Sequence, residues 1–119
     1  MERDDMEDLH RALVQSWQIE PVAGLTSHAF LDALADRVAM MLKHNLDRLV
    51  AAMYTLDVDE TRFSAALALP GNSATARAVA ELILEREIEK MISRRNYRTP
   101  PRDPDDRIID ITPKDDASA

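Results

Sequence analysis

Near residue 30 the sequence places a histidine and a carboxylate at the spacing of metal ligands. His28 and Asp32 are four residues apart, so on a helix both side chains would lie on one face. A metal site needs three or four ligands, and His10 or His44 could join this pair only through a tertiary contact that the sequence does not predict. We therefore interpret the pair as exposed or capping polar residues, and we predict no metal site and no cofactor.

A second group of carboxylates lies where one predicted helix ends and the next begins. Asp57, Asp59 and Glu60 resemble part of a calcium-binding loop, but the glycine and the distal bidentate glutamate of that loop are missing. Helix capping explains these residues without a metal. Asp57 and Glu60 have the form of a capping box, and Asp59 is an alternative N-cap.

Carboxylates spaced by four residues raise the possibility of an enzyme. All-α nucleotide pyrophosphohydrolases hold magnesium with E-x-x-E followed by E-x-x-D, and this pair of motifs is absent, since the sequence contains no E-x-x-E. Spacing by four is ordinary on solvated helix surfaces, so we predict no catalytic residues. A small metal-assisted or nucleotide-handling helical enzyme is the alternative function, and it requires at least three of four carboxylates in one pocket: Asp32, Asp36, Asp57 and Glu81.

Three isoleucines stand close together in the acidic C-terminal stretch. Ile108, Ile109 and Ile111 form a compact apolar island between groups of aspartates. Such an island could add a short strand to a sheet edge of a partner, or fold back on the helical body. We interpret these three isoleucines as a docking peptide and as the partner-binding residues, with intramolecular docking or no role as the alternative.

The composition predicts that these groups are positioned by helices around one aliphatic core. Hydrophobic residues make up 45% of the 119-residue chain but aromatic residues only 4%, and the only glycines are Gly24 and Gly71. The most abundant residues, such as Ala, Leu and Glu, are good helix formers. A chain of this length has room for one conventional domain.

The charge distribution argues against nucleic acid as the main partner. The net charge is −7, with −4 in residues 1–20 and −2 in residues 97–119. A nucleic-acid binder needs a basic face to neutralise phosphates. Basic residues gather only at the far end of the last predicted helix and beyond it: Lys90, Arg94, Arg95, Arg98 and Arg102. We interpret them as a solvated helix end.

The sequence also carries no signal for a membrane. The first residues lack the basic and apolar regions of a leader peptide, and no apolar run approaches the roughly 18 residues of a membrane span. There is no cysteine, which excludes disulfides and thiolate chemistry. We therefore predict a soluble cytoplasmic protein with no membrane partner.

Apolar residues at helical spacing predict the elements. An N-terminal amphipathic helix falls within residues 1–20, and Pro21 forces its exit. A helix over 28–56, capped by Thr26 or Ser27, would be about 43 Å long. Because that exceeds what a domain of this size covers, the helix either bends at residues 43–45 or packs along a second copy.

Two further helices are predicted over 60–68 and 74–96, separated by the turn at residues 69–73. Leu46, Leu67 and Ile92 are among the residues expected on the buried faces of these helices. We predict an all-α fold, a small three-to-four-helix bundle in which helices 28–56 and 74–96 form an antiparallel main pair. Residues 26–97 would be its core, and residues 98–119 a disordered, acidic, proline-rich tail.

The junction at residues 53–60, followed by the charged helix at residues 80–87, carries a resemblance. Tyr54, Asp57, Val58 and Glu60 form a Tyr-x-x-Asp-Val-x-Glu pattern. In this the chain resembles short uncharacterised bacterial all-α proteins, in which the same junction precedes a final helix rich in Arg, Glu and Lys. The resemblance implies the fold alone, because no function is attached to that group.

The function that these features favour is a small non-enzymatic protein-interaction or oligomerisation module. A chain of this size buries only about 60–65% of its extended surface when it folds alone. We therefore expect a protein partner or a homodimer, with the flank of the long helix serving self-association.

Overall fold

A computed structural model of the protein describes residues 2–98. These residues form five helices and contain no strand: α1 (Arg3–Trp17), α2 (Ser27–His44), α3 (Leu46–Leu56), α4 (Glu60–Leu67) and α5 (Asn72–Arg98). The all-α prediction is confirmed for this part of the chain. The helix count is larger than the three to four predicted, because the helix expected over 28–56 is divided in two. The tail predicted over 98–119 falls outside the described residues beyond Arg98.

α1 forms because its apolar residues return every three or four positions. Leu9, Leu13 and Trp17 are buried on this stripe. At its start, the side chain of Glu2 and that of Asp5 form a capping box, which satisfies two backbone amides that the first turn leaves without partners. Gln18 ends the helix in a left-handed conformation, with φ 58°. The N-terminal amphipathic helix therefore ends at Trp17, before Pro21 is reached.

The long apolar stripe over residues 28–56 is broken at Asn45, within the polar run where the sequence allowed a bend. Asn45 has φ −148° and ψ 51°, far from helical values, while its N–H still donates to the carbonyl of Met41 at 2.8 Å. The bend turns Leu49, Met53 and Leu56 into the core. It also removes the geometric reason for a second copy along a 43 Å helix, since neither half is that long.

Capping residues define the starts of α2 and α4. The side chain of Thr26 accepts a hydrogen bond from the amide of Ala29 at 3.0 Å. Asp59 accepts one from the amide of Thr61 at 3.1 Å and is the N-cap of α4. The capping box predicted for Asp57 is wrong, because Asp57 instead ends α3 in a left-handed conformation, with φ 66°.

α2 packs chiefly on α5, so these two helices form the main pair. Asp32, in the second turn of α2, binds Arg77 in the second turn of α5. Farther along, Arg37 of α2 and Glu87 of α5 both hydrogen-bond to Trp17. Both helices therefore start at the same end of the molecule, and the antiparallel arrangement predicted for this pair is wrong.

The core is aliphatic, with one phenylalanine at its centre. Its largest fully buried side chains come from every long helix: Phe30, Leu9, Leu13, Leu34, Leu49, Met53, Ile83, Val38 and Val79. Three residues predicted on buried faces are exposed instead. Leu46, Leu67 and Ile92 have exposed fractions of 46%, 39% and 49%. Leu46 begins α3, Leu67 ends α4, and Ile92 follows Met91, the last core residue of α5 in the described part of the chain. We attribute the exposure of these three apolar side chains to those end positions.

Candidate functional site

Two concave surfaces lie at the carboxyl end of α1, and they share the turn around Trp17. The first, which we call the α1–α2 groove, has a volume of about 520 Å³. It is bounded by the loop after α1 and by one face of α2, and it is lined by Gln18, Ile19, Glu20, Val22, Ala29, Asp32, Ala33, Asp36, Arg37 and Met40. The α2 residues recur at helical spacing, so a single helix face forms one wall.

The charges of the α1–α2 groove are unequally partnered. Arg37 turns toward the end of α1, donating from Nε to the carbonyl of Trp17 at 3.0 Å and from Nη2 to Oε1 of Gln18 at 3.1 Å. Asp32 pairs with Arg77 at 2.7 Å. Glu20 and Asp36 make no ion pair with any residue in 2–98. Glu20 and Asp36 are thus the charged groups of this groove that are available to a partner.

The second concave surface, which we call the Trp17 cavity, has a volume of about 360 Å³ and lies between α1, α3 and α5. Nine residues line it: Ser16, Trp17, Arg48, Ala51, Ala52, Thr55, Leu56, Glu87 and Lys90. The indole N–H of Trp17 donates to Oε2 of Glu87 at 2.9 Å. Glu87 is only 4% exposed, so this hydrogen bond offsets the cost of burying a carboxylate.

At the Trp17 cavity the unpartnered charges are cations. Arg48 and Lys90 make no ion pair within the described part of the chain. Five other arginines in residues 2–98 do: Arg3, Arg11, Arg62, Arg77 and Arg86. Arg94 follows Lys90 by one helical turn and extends the basic edge.

Two of the histidines considered as metal ligands, His28 and His10, have partners within the protein. Nε2 of His28 lies 3.3 Å from Oδ2 of Asp32, on the shared helix face that their spacing predicted, and the other oxygen of Asp32 binds Arg77. His10 accepts a hydrogen bond from the amide of Val22 at 3.1 Å and stacks on Phe30, with ring centroids 5.5 Å apart. Among residues 2–98, no group of three or more His, Cys, Asp or Glu side chains is placed to hold a metal ion.

The four carboxylates considered for an enzyme are spread over the surface. Asp32 and Asp36 line the α1–α2 groove, Asp57 lines a different cavity of about 300 Å³, and Glu81 is exposed on α5. In the Asp57 cavity the cations are already paired. Arg62 binds Glu85 at 2.7 Å, and Arg86 binds Glu89 at 3.1 Å and the carbonyl of Leu56 at 2.9 Å.

Comparisons of the chain with protein-family models, with curated proteins and with solved structures gave no match. The resemblance to short bacterial all-α proteins therefore stays a prediction. Within the described residues, no helix combines the length and the apolar character needed to cross a membrane.

The structure brings together two residues that the sequence analysis left apart. Trp17 lies on the apolar stripe of α1 and Glu87 in the glutamate-rich part of α5, and the two form one buried pair. A signal was present: Ile83, Glu87 and Met91 follow one another at intervals of four, which places a glutamate on the apolar stripe of α5. The three predicted partner-binding residues, Ile108, Ile109 and Ile111, lie outside the described residues.

Proposed function

We propose that the protein is a non-enzymatic protein-interaction module that receives a cationic amphipathic helix in the α1–α2 groove. The observation that supports this proposal is the combination of an apolar floor with carboxylates that have no partner within residues 2–98. Ile19, Val22 and Met40 supply the apolar surface, and Glu20 and Asp36 supply the unpaired negative charge. The lack of cysteine fits a module that works in the cytoplasm.

The dimensions and side chains of the groove suit a helix. Along α2 the wall runs from Ala29 to Met40, about 16 Å or three turns. Ala29 and Ala33 are small, so a partner backbone can approach closely. Met40, which is 55% exposed, is flexible and polarisable and adapts to varied apolar side chains. Groove recognition of amphipathic helices uses anchors at this periodicity.

The helix can come from another protein or from a second copy of the chain. The end of α5 has the required chemistry, since the exposed Ile92 is flanked by Lys90 and Arg94, neither of which makes an ion pair within residues 2–98. If α5 of one copy enters the groove of another, the protein is a homodimer whose two contacts are equivalent by symmetry. The homodimer and the separate partner are distinguished by the mass of the purified protein.

The test is fluorescence anisotropy with a labelled helical peptide of alternating Leu and Lys faces, added to the full chain. We expect saturable binding that weakens with salt, and a loss of about tenfold or more in affinity for Asp36→Lys, because the substitution places a like charge against the peptide. Glu81→Lys is the matched control. It makes the same charge change at an exposed position of α5 that does not line the groove.

Equal affinity of the Asp36→Lys and Glu81→Lys variants would show that the groove is not the binding surface. Light scattering on the same proteins separates the two sources of the helix. A dimer that Asp36→Lys converts to a monomer identifies the second copy as the partner. A monomer that binds the peptide identifies a separate protein.

A further inference from the structure

We propose that residues 107–112 of this chain dock in the Trp17 cavity. The segment contains the three isoleucines, Ile108, Ile109 and Ile111, together with Asp110. The cavity offers an apolar wall and two cations that have no ion pair within residues 2–98. This inference concerns a different surface from the α1–α2 groove, and it is tested with a different peptide.

The length of chain after α5 allows this docking. Lys90 lies about 12 Å along α5 before the last helical residue, Arg98. From Arg98 to Ile109 the chain contains Pro100, Pro101 and Pro104, and at about 3.1 Å per residue it can extend roughly 34 Å. The segment can therefore return past Lys90 to the cavity with chain to spare.

The alternation of the segment matches the two kinds of wall. In an extended backbone, Ile109 and Ile111 point to one side and Asp110 to the other. The isoleucines would contact the apolar part of the cavity, formed by Trp17, Ala51, Ala52 and Leu56. Asp110 would then lie at the rim, where Arg48 and Lys90 provide the opposite charge.

Charge decides between the two concave surfaces for this segment. Residues 103–110 contain four aspartates, Asp103, Asp105, Asp106 and Asp110, against one cation, Arg107, so this stretch is net negative. The α1–α2 groove presents Glu20 and Asp36, two carboxylates without an ion pair in residues 2–98, and would repel them. The Trp17 cavity keeps its own carboxylate, Glu87, in a hydrogen bond and presents two cations, Arg48 and Lys90, that have no ion pair among the described residues. Opposite charges therefore direct the segment to the Trp17 cavity.

Trp17 is the only tryptophan in the chain, so its fluorescence and its indole N–H resonance report directly on the cavity. We would compare the full chain with a variant truncated after residue 104 and with one truncated after residue 113, which keeps the segment. We expect the full chain and the longer truncation to give the same Trp17 emission and indole shift, and the shorter truncation to change both. Adding a peptide of residues 105–113 to the shorter truncation should restore the original signals in a saturable way.

Side-chain variants test the two parts of the contact. In the peptide assay, Ile109→Ser with Ile111→Ser should abolish binding, and Arg48→Glu with Lys90→Glu in the protein should weaken it about tenfold or more. Lys43→Glu is the control for charge reversal, because Lys43 is another exposed cation without an ion pair in residues 2–98, and it does not line the cavity.

Three outcomes would overturn the proposal. The first is that the full chain and the shorter truncation have the same Trp17 emission and the same indole N–H shift. The second is that the double variant, Arg48→Glu with Lys90→Glu, and the control variant, Lys43→Glu, lower the affinity for the peptide equally. The third is a signal that depends on protein concentration and accompanies a doubled mass, because the segment would then dock on a second copy rather than on its own chain.

Discussion

The α1–α2 groove and the Trp17 cavity meet at the same turn of the chain, yet their charges are arranged in opposite ways. In the groove, the cation Arg37 is held by the end of α1, and the carboxylates Glu20 and Asp36 make no ion pair within residues 2–98. In the cavity, the carboxylate Glu87 is held by the indole of Trp17, and the cations Arg48 and Lys90 make no ion pair in the same part of the chain. Both surfaces contain charges of both signs, so composition alone would not separate them. What each can bind depends on which charges already have partners inside the protein.

Trp17 and Arg37 also join the two surfaces mechanically. The carbonyl of Trp17 accepts from Arg37 on the groove side, while the indole of the same residue donates to Glu87 on the cavity side. The end of α1 is therefore fixed to α2 through its backbone and to α5 through its side chain. A change at Trp17 should disturb both surfaces, whereas a change at Met40, on the far wall of the groove, should disturb one.

The largest expected effect on stability comes from removing the side chain of Trp17, which holds Glu87 and so leaves the cations of the cavity as its available charges. Trp17→Ala deletes a buried aromatic group and leaves the Glu87 carboxylate without its donor, so we expect the free energy of unfolding to fall by about 3–5 kcal/mol. Met40→Ala is the control at the groove. It should change stability by no more than about 0.5 kcal/mol, because Met40 is mostly exposed. Urea denaturation followed by circular dichroism measures both.

If Trp17→Ala and Met40→Ala lowered the free energy of unfolding by similar amounts, Trp17 would contribute no more to the core than Met40 does. The same two substitutions made in the chain truncated after residue 104 should keep the same order of stability, because Trp17 and Met40 lie in α1 and α2, which the truncation leaves intact.

A smaller effect isolates the hydrogen bond between Trp17 and Glu87. Trp17→Phe keeps most of the apolar contact but removes the donor, and it should lower the free energy of unfolding by about 1–3 kcal/mol. Combining it with Glu87→Met removes the buried acceptor too, and should recover much of that loss, because two apolar partners leave no unsatisfied group. A double-mutant cycle in urea gives the coupling energy between the two positions. Additive effects would show that the pair is not coupled.

The general fold follows from local patterns in the sequence. Apolar spacing predicted α1, α4 and α5, and the pair Thr26 and Ser27 predicted the start of α2, where Thr26 is the N-cap, because each depends on residues within one or two helical turns. The polar run at residues 43–45 indicated a bend but left a continuous helix open as the alternative, since propensity at one asparagine is a weak preference that tertiary packing decides. The relative direction of α2 and α5 depends on contacts between distant residues, such as Asp32 with Arg77, and periodicity contains no such information.

The candidate surfaces were harder to predict for the same reason. Asp36 and Glu87 are both carboxylates on amphipathic helices, and only the structure shows that Asp36 makes no ion pair within residues 2–98 while Glu87 is buried. The Glu87 position on the apolar stripe of α5 was readable, but its partner lies 70 residues away in the sequence. Likewise, the pairing of His28 with Asp32 was predictable from their spacing, while the competing contact from Arg77 was not.

The substitution with the smallest expected effect on stability, Arg77→Gln, should change peptide binding at the groove but not at the Trp17 cavity. It removes the ion pair between Arg77 and Asp32. Because both side chains are about half exposed, we expect the free energy of unfolding to fall by only about 0.2–1 kcal/mol, and by less in high salt. The same substitution leaves the Asp32 carboxylate with His28 as its remaining partner in residues 2–98, so its negative charge adds to those of Glu20 and Asp36 in the groove. Anisotropy should therefore show tighter binding of the cationic peptide by Arg77→Gln, while binding of the 105–113 peptide at the Trp17 cavity should not change. If Arg77→Gln instead lowers the affinity for the cationic peptide, the shape of the groove determines binding, and the carboxylates Glu20 and Asp36 do not.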